Sequence, residues 1–275
     1  MKLIRYSLLA ALLTFAVSAT AAAQCRSPVP DSALVQKGKL LMSVNPTLPP
    51  LQFVDRSGAL QGMRVELGKA VAQRLCLTPE YIRIEFSAMI PGLKAGRWDL
   101  INTGIFYTPE RAKLMYMLPY EDQAISISIN KGSALKVASA DDLAGRSIGV
   151  EIGGFEENKA RELHKMLLGR GKKGLTIRTF ENFSMAFQAL RAGQVDATLA
   201  IDATSAEYEK RGGFTRVLHG LFPTPVALAA RNGTLAAAIA KVLNEMRTDG
   251  SFQKLLDRYG VEPIGGEIAV KGPGT

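Results

Sequence analysis

The chain has 275 residues, of which 47% are hydrophobic and 21% are charged, as is typical of a globular protein with a substantial core. The formal net charge of +9 comes from lysines and arginines that are scattered among acidic residues, with no basic stripe interleaved with aromatic residues. This distribution excludes a nucleic-acid-binding surface, and without metal-ligand spacing we expect neither a metal nor another cofactor.

The first 23 residues have the pattern of a secretory signal peptide. Lys2 and Arg5 precede an apolar stretch over residues 8–17 that is too short to span a bilayer. The small residues at positions 21–23 fit a signal-peptidase site, so we expect cleavage after Ala23 and export to the periplasm. The alternative is a retained N-terminal anchor helix.

Two cysteines follow the predicted cleavage site, Cys25 and Cys76. An oxidising compartment allows them to pair, and their spacing matches no metal site, so the sequence favours a disulfide. A free buried thiol at Cys76 is the alternative.

Strand-like and helix-like segments alternate along the rest of the chain. The predicted strands are 39–44, 81–86, 98–102, 124–129, 146–151, 175–180, 195–201 and 226–230. The predicted helices are 63–75, 87–93, 156–168, 184–192, 235–247 and 251–259. We expect a loop over residues 48–51, a hairpin turn at 55–58 and a frayed tail after Pro263. The alternation predicts an α/β architecture with largely parallel sheets.

Ligands of open α/β sheets bind beyond the carboxyl ends of the strands, so the first candidate site follows the predicted strand 98–102. A turn at 103–107 leads to Thr108 and Pro109, which favour the start of a helix. Arg111 falls in the first turn of that helix, where a cation is unfavourable unless an anion compensates it. Arginine binds carboxylates with two hydrogen bonds, so Arg111 is a candidate for binding the carboxylate group of a ligand. The alternative is a surface ion pair with Glu110 or a neighbouring residue.

Two more strand ends carry suitable groups. Glu151 is followed by Gly153 and Gly154, whose backbone N–H groups can approach a ligand closely, although an ordinary tight turn has the same pattern. Asp202 follows the predicted strand 195–201 and can accept from an ammonium group, cap the helix that begins near Thr204, or do both. Arg111 could bind a carboxylate and Asp202 an ammonium group, and a free amino acid carries both groups.

Several motifs occur in an order and at a spacing that are typical of one family. They are GMRVEL at 62–67, IPGLKAG at 90–96, WD at 98–99, TPER at 108–111, DLAG at 142–145, IGV at 148–150, GQVDA at 193–197 and RTDG at 247–250. With these motifs the chain resembles the polar amino-acid-binding proteins of bacterial ABC importers, solute-binding protein family 3. The resemblance implies a periplasmic-binding-protein-like fold of type II, in which two α/β lobes are joined by crossing strands near 124–129 and 226–230. Lobe one would comprise residues 24–123 and 228–275, and lobe two residues 124–227.

The resemblance also implies roles for particular residues. The arginine that matches Arg111 binds the ligand carboxylate, the turns that match 103–106 and 153–155 add contacts, and an aspartate near Asp202 takes the α-ammonium. In the family this aspartate usually occurs one residue sooner, where Ile201 stands here. The expected ligand-binding residues are therefore Leu48, Leu51, Thr103, Gly104, Phe106, Arg111, Gly154, Phe155 and Asp202.

The function implied is capture of an amino acid, or a similar small zwitterion or carboxylate, by a monomer that delivers it to an inner-membrane ABC permease. Leu48, Leu51, Phe106 and Phe155 stand where relatives have hydroxyls or a covering aromatic ring, which predicts an apolar or aromatic ligand side chain.

The alternative is an enzyme similar to periplasmic dehydratases, with Glu151 as general acid or base. Because no nucleophile motif occurs, we expect no catalytic residue. A sensory domain that acts through a partner protein is the third functional class considered.

Overall fold

The computed structural model describes residues 25–274, so the predicted signal peptide lies outside the described residues. The strands are β1 (Lys39–Val44), β2 (Thr47–Leu48), β3 (Gln52–Val54), β4 (Leu60–Gln61), β5 (Thr78–Arg83), β6 (Leu100–Phe106), β7 (Tyr116–Asn130), β8 (Ser147–Glu151), β9 (Thr176–Phe180), β10 (Ala197–Ile201), β11 (Phe214–Ala230) and β12 (Glu262–Pro263). The helices are α1 (Met63–Arg74), α2 (Met89–Lys94), α3 (Pro109–Ala112), α4 (Phe155–Gly169), α5 (Phe183–Arg191), α6 (Asp202–Lys210), α7 (Gly233–Thr248) and α8 (Ser251–Asp257). Within residues 25–274, no helix has the length and hydropathy needed to cross a membrane.

Two long antiparallel strands, β7 and β11, run through the centre of the main sheet. The strand order is β5-β1-β6-β11-β7-β10-β8-β9, and β12 pairs with β7. Parallel strands lie on both sides of the central pair, with β5, β1 and β6 on one side and β10, β8 and β9 on the other. The predicted two-lobed α/β fold is thereby confirmed, with a first lobe around β1 and a second around β8. The predicted boundaries at residues 124 and 228 fall inside β7 and β11 and stay a prediction.

The central strands are much longer than the sequence pattern predicts. Only 124–129 and 226–230 read as strands, whereas β7 begins at Tyr116 and β11 at Phe214. The first half of β7 was not predicted as a strand because it contains Pro119 and the acidic Glu121. A proline or a charged residue argues against a position in the centre of a sheet. Glu121 is nevertheless fully buried, since a buried arginine neutralises it.

That arginine is Arg64, which projects from α1 and is fully buried. Its guanidinium donates to Glu121 Oε1 from Nε at 2.9 Å and from Nη2 at 2.5 Å. Further donations reach Gln52 Oε1 at 2.9 Å and the Tyr120 hydroxyl at 3.1 Å. The rest of α1 follows the predicted period, with Met63, Leu67 and Val71 wholly buried.

The C-terminal segment is ordered against the first lobe, so the prediction of a frayed tail was wrong. Ile268 is 1% exposed, and Asn244 of α7 both donates to its carbonyl and accepts from its N–H. Lys271 exchanges two backbone hydrogen bonds with Met117 at 2.7 and 2.8 Å. The segment after Pro263 has the composition of a loop, but the burial of Ile268 and the backbone pairing of Lys271 hold it in place.

The predicted disulfide is confirmed, because Cys25 and Cys76 are bonded with their Cα atoms 5.5 Å apart. The bond ties the start of the described chain to the end of α1 across a sequence separation of 51 residues. On the chain-entropy model, closing a loop of that length contributes at most about 4 kcal/mol. We expect Cys76→Ser to lower the free energy of unfolding by up to that amount, measured by urea denaturation. Thiol labelling of unreduced wild-type protein should find no free thiol, and finding two would contradict the disulfide.

Candidate functional site

A buried cavity lies between the two lobes, where β6, β8 and β10 end. The lining comes from both lobes and combines hydrophobic side chains with polar and charged ones. The lining residues are Leu48, Phe86, Thr103, Gly104, Phe106, Arg111, Glu151, Gly154, Phe155, Glu156, Phe183 and Ile201. The cavity thus occupies the position at which α/β sheets bind ligands.

Arg111 supplies the cation of the cavity wall. Thr108 caps α3 as predicted, its Oγ1 accepting from the Arg111 N–H at 3.2 Å, and Pro109 takes the first helical position. Arg111 is 8% exposed, and its guanidinium donates from Nη1 to the Phe106 carbonyl at 2.9 Å and from Nη2 to the Gly153 carbonyl at 3.3 Å.

No carboxylate of residues 25–274 forms a salt bridge with Arg111, so the alternative of an ion pair with Glu110 was wrong. Burial lowers the pKa of Arg111, while the nearby carboxyls of Glu156 and Glu151 act in the opposite direction. A guanidinium has five N–H donors, and two carbonyl acceptors do not use them all. The arrangement is therefore suited to a bidentate anion such as a carboxylate.

Two carboxyl groups share the cavity with this cation. Glu151 ends β8, is 3% exposed, and accepts from Asn45 Nδ2 at 2.7 Å. Glu156 lies in the first turn of α4 and is 2% exposed. Burial raises the pKa of both groups, that of Glu156 to about 7, and their mutual repulsion adds to the effect at Glu151. Each carboxyl therefore needs a cationic partner to remain ionised in this environment.

These pKa shifts predict that the ligand-free protein loses stability as pH rises from about 4.5 to about 7. Glu156 has an ordinary pKa of 4.5 when unfolded and about 7 when folded, so the folded state binds more protons within that window. Each such group contributes a slope of up to about 1.4 kcal/mol per pH unit. Urea denaturation at several pH values should show the decline, and Glu156→Gln should reduce it. An unchanged slope in that variant, with Glu162→Gln as control, would exclude Glu156 as a source.

Several contacts hold the two lobes together around the cavity. Arg111 reaches the Gly153 carbonyl across the cleft, and Asn45 reaches Glu151. The rings of Phe106 and Phe155 stack with centroids 4.5 Å apart. These contacts describe a closed cleft whose wall is shared by both lobes.

The predicted turn at residues 103–107 is not a turn, because β6 continues to Phe106 and pairs with β11. Gly104 has φ of +82°, and the register with β11 is irregular between Ala227 and Ala229. A Cβ at position 104 would overlap the guanidinium of Arg64, so only glycine fits here. Gly104 does mark an irregular backbone, as its position in the sequence indicated, but the irregularity is a bulge in β6 against the buried Arg64 side chain and not a turn.

A chain of buried hydrogen bonds connects this bulge with the opposite lobe. Gln52 accepts from Arg64 and donates to the Thr103 carbonyl at 2.6 Å. Thr103 Oγ1 accepts from the Asn45 backbone N–H at 2.8 Å, and Asn45 donates to Glu151. The Arg64–Glu121 pair in the core therefore supports the wall of the cavity.

Seven of the nine predicted ligand-binding residues line the cavity: Leu48, Thr103, Gly104, Phe106, Arg111, Gly154 and Phe155. Leu51 does not, because it is wholly buried behind the wall, where its carbonyl accepts from the Arg64 N–H. Asp202 is also outside the lining, since its carboxylate accepts from the Ser126 hydroxyl and from the Gly220 N–H at 3.0 Å. It does not cap α6 either, because the helix begins at Asp202 itself.

Four lining residues were not predicted as part of the site: Phe86, Glu156, Phe183 and Ile201. Glu151 was considered only as a possible acid or base. Ile201 and Glu151 could have been found together, because they end the adjacent parallel strands β10 and β8. Glu156 gives no such signal, since an acidic residue in the first turn of a helix is common for local reasons.

Comparison with known proteins gives a consistent result. Residues 40–262 match the family of bacterial extracellular solute-binding proteins, family 3. The L-cystine-binding protein of Escherichia coli K12 is 27% identical over 82% of this chain and 83% of its own length. The lysine/arginine/ornithine-binding periplasmic protein of the same organism is 24% identical over 90% of this chain and 94% of its own.

Solved structures agree. An ancestral arginine-binding protein bound to arginine is 31% identical, with a TM-score of 0.75 over 81% of this chain and 98% of its own. An ancestral amino acid-binding protein described as a precursor of cyclohexadienyl dehydratase is 28% identical, with a TM-score of 0.71 over 81% and 95% of the two chains. Even this neighbour of the dehydratase is a binding protein, which does not favour the enzymatic alternative. The chain belongs to the bacterial extracellular solute-binding proteins, family 3.

Proposed function

We propose that this protein captures a free amino acid in the cavity between its lobes and delivers it to an ABC permease of the inner membrane. The observation that carries the proposal is Arg111, a buried cation that lines the cavity and has no ion-pair partner within the described chain. The relatives support the ligand class, because they are named for binding cystine, arginine, or lysine, arginine and ornithine.

In this proposal Arg111 binds the ligand carboxylate from the first lobe. The N-terminus of α4 faces it from the second lobe at Gly154 and Phe155, where backbone N–H groups and the helix dipole favour an anion. Thr103, Gly104 and Phe106 complete the wall from β6. We assign supporting roles to the two predicted residues outside the lining. Leu51 holds Arg64 in place, and Asp202 holds the crossing between the lobes through Ser126 and Gly220.

The proposed cycle has an open and a closed form. Ligand enters while the lobes are apart, and a hinge motion in β7 and β11 closes them around it. We place the lobe boundaries near residues 124 and 228 within these strands, and the closed form of a single chain would dock on the permease. For location, we propose export to the periplasm with cleavage after Ala23, which intact mass of the exported protein tests directly.

The ligand side chain is expected to be apolar. Six lining side chains are hydrophobic: Leu48, Phe86, Phe106, Phe155, Phe183 and Ile201. Apolar contact contributes roughly 25 cal/mol per Å² covered, whereas an unpaired charge against such groups is unfavourable. A thermal-shift screen of the mature protein should show stabilisation by leucine or phenylalanine. Stabilisation by arginine and lysine but not by these would contradict the side-chain class, and no response to any amino acid would contradict the proposed function.

A further inference from the structure

One carboxyl oxygen at the cavity could accept a hydrogen bond from a cation, and no donor of the described residues bonds to it. Glu156 is 2% exposed, lines the cavity, and its Oε1 has no hydrogen-bond partner within residues 25–274. Buried polar atoms are almost always paired, because a carboxyl oxygen without a partner loses its hydration and gains nothing in return. The unpaired oxygen therefore needs a donor from outside the chain.

The local environment of Glu156 accounts for only part of its placement. An acidic residue in the first turn of α4 interacts favourably with the helix dipole and with its own backbone N–H. Its other oxygen, Oε2, faces Gly154, where a Cβ would lie 2.9 Å away. Neither contact uses Oε1, so helix capping does not explain why this oxygen is buried at the cavity.

The two other candidate carboxylates, Glu151 and Asp202, each accept a hydrogen bond from within the chain. Glu151 accepts from Asn45 at 2.7 Å. Asp202, the ammonium acceptor that the sequence predicted, is bonded to Ser126 and Gly220 and lies outside the lining. At the end of β10, Ile201 presents an apolar side chain instead. Among the carboxyl groups that line the cavity, Glu156 is the one with an oxygen, Oε1, that is fully buried without a hydrogen-bond partner within residues 25–274.

We propose that Glu156 binds the ammonium group of the ligand, while Arg111 binds its carboxylate and the hydrophobic wall covers its side chain. This inference rests on the proposed function and names the ligand class as an apolar zwitterion. One buried cation and one unpaired buried acceptor, which line the same cavity from opposite lobes, match the two charges of such a ligand, and the nearby Glu151 adds negative potential.

The test compares L-leucine with 4-methylpentanoate, which is the same molecule without its ammonium group. Isothermal titration calorimetry at pH 7.5 is performed with wild-type protein, Glu156→Gln, Asp202→Asn and the control Glu162→Gln. Glutamine keeps the size of the side chain and removes its charge, and Glu162 is an exposed residue of the same helix.

We expect wild-type protein and Glu162→Gln to prefer L-leucine over 4-methylpentanoate by about 30-fold or more, the loss typical of a desolvated charge left unpaired. Glu156→Gln should lose most of that preference by binding L-leucine more weakly, and Asp202→Asn should keep it. A full preference in Glu156→Gln, or its loss in Asp202→Asn, would overturn the inference. So would wild-type protein that binds basic amino acids but not L-leucine. The proposed function itself fails only if wild-type protein binds no amino acid at all.

Discussion

Replacing Arg111 by alanine is expected to abolish ligand binding while leaving the fold intact. The guanidinium is buried in the cavity wall, and loss of one partner of a desolvated charged pair costs about 2–5 kcal/mol. Affinity should therefore fall by roughly 30-fold to more than 1,000-fold. Calorimetric titration with the amino acid that stabilises wild-type protein most strongly measures the effect.

The matched control is Arg211→Ala, which removes an exposed arginine at the C-terminal end of α6 that pairs with Glu207 of that helix. This variant should bind like wild-type protein, because exposed pairs contribute about 0–1 kcal/mol to stability and Arg211 does not line the cavity. Circular dichroism confirms that both variants fold. Wild-type affinity in Arg111→Ala would remove Arg111 from the binding site.

Replacing Glu121 by alanine is expected to cause the largest loss of stability. The change leaves the Arg64 guanidinium buried without its counter-charge, which costs about 3–5 kcal/mol. Urea denaturation measures the loss, and Asp31→Ala, which breaks an exposed pair with Lys37, is the control with little expected effect.

A double variant separates the ion pair from simple packing. Replacing Arg64 by methionine together with Glu121 by leucine removes both charges, so it should be less destabilising than Glu121→Ala alone. If Glu121→Ala lost less than about 1 kcal/mol, the buried pair would not be the support of the cavity wall that its contacts with Gln52 and Tyr120 indicate.

The sequence predicted the parts of the fold that local patterns determine. The period of α1 and the cap at Thr108 were correct, because each depends on neighbours within a few residues. The full length of β7 could not be predicted, since Glu121 is acceptable in a central strand only when Arg64, 57 residues away, lies against it. Long-range pairing of this kind leaves no periodic signal.

The same limit applies to the site. Arg111 stood out because a cation at the start of a helix is locally unfavourable, which signals an anion. Position 201 was ambiguous, because every residue of β10 is buried and the strand gives no alternation to show which side chain faces the cavity. Glu156 was missed because an acid at a helix start is locally favourable, so only the tertiary structure shows its unpaired oxygen.

The central claim is that an amino acid binds between the lobes with its carboxylate on Arg111. A crystal structure of the mature protein with the amino acid that stabilises it most strongly tests this directly. We predict ligand density within the cavity bounded by Phe106 and Phe155, with both carboxylate oxygens within hydrogen-bond distance of the Arg111 guanidinium. A ligand bound outside this cavity, or one whose carboxylate points away from Arg111, would contradict the account.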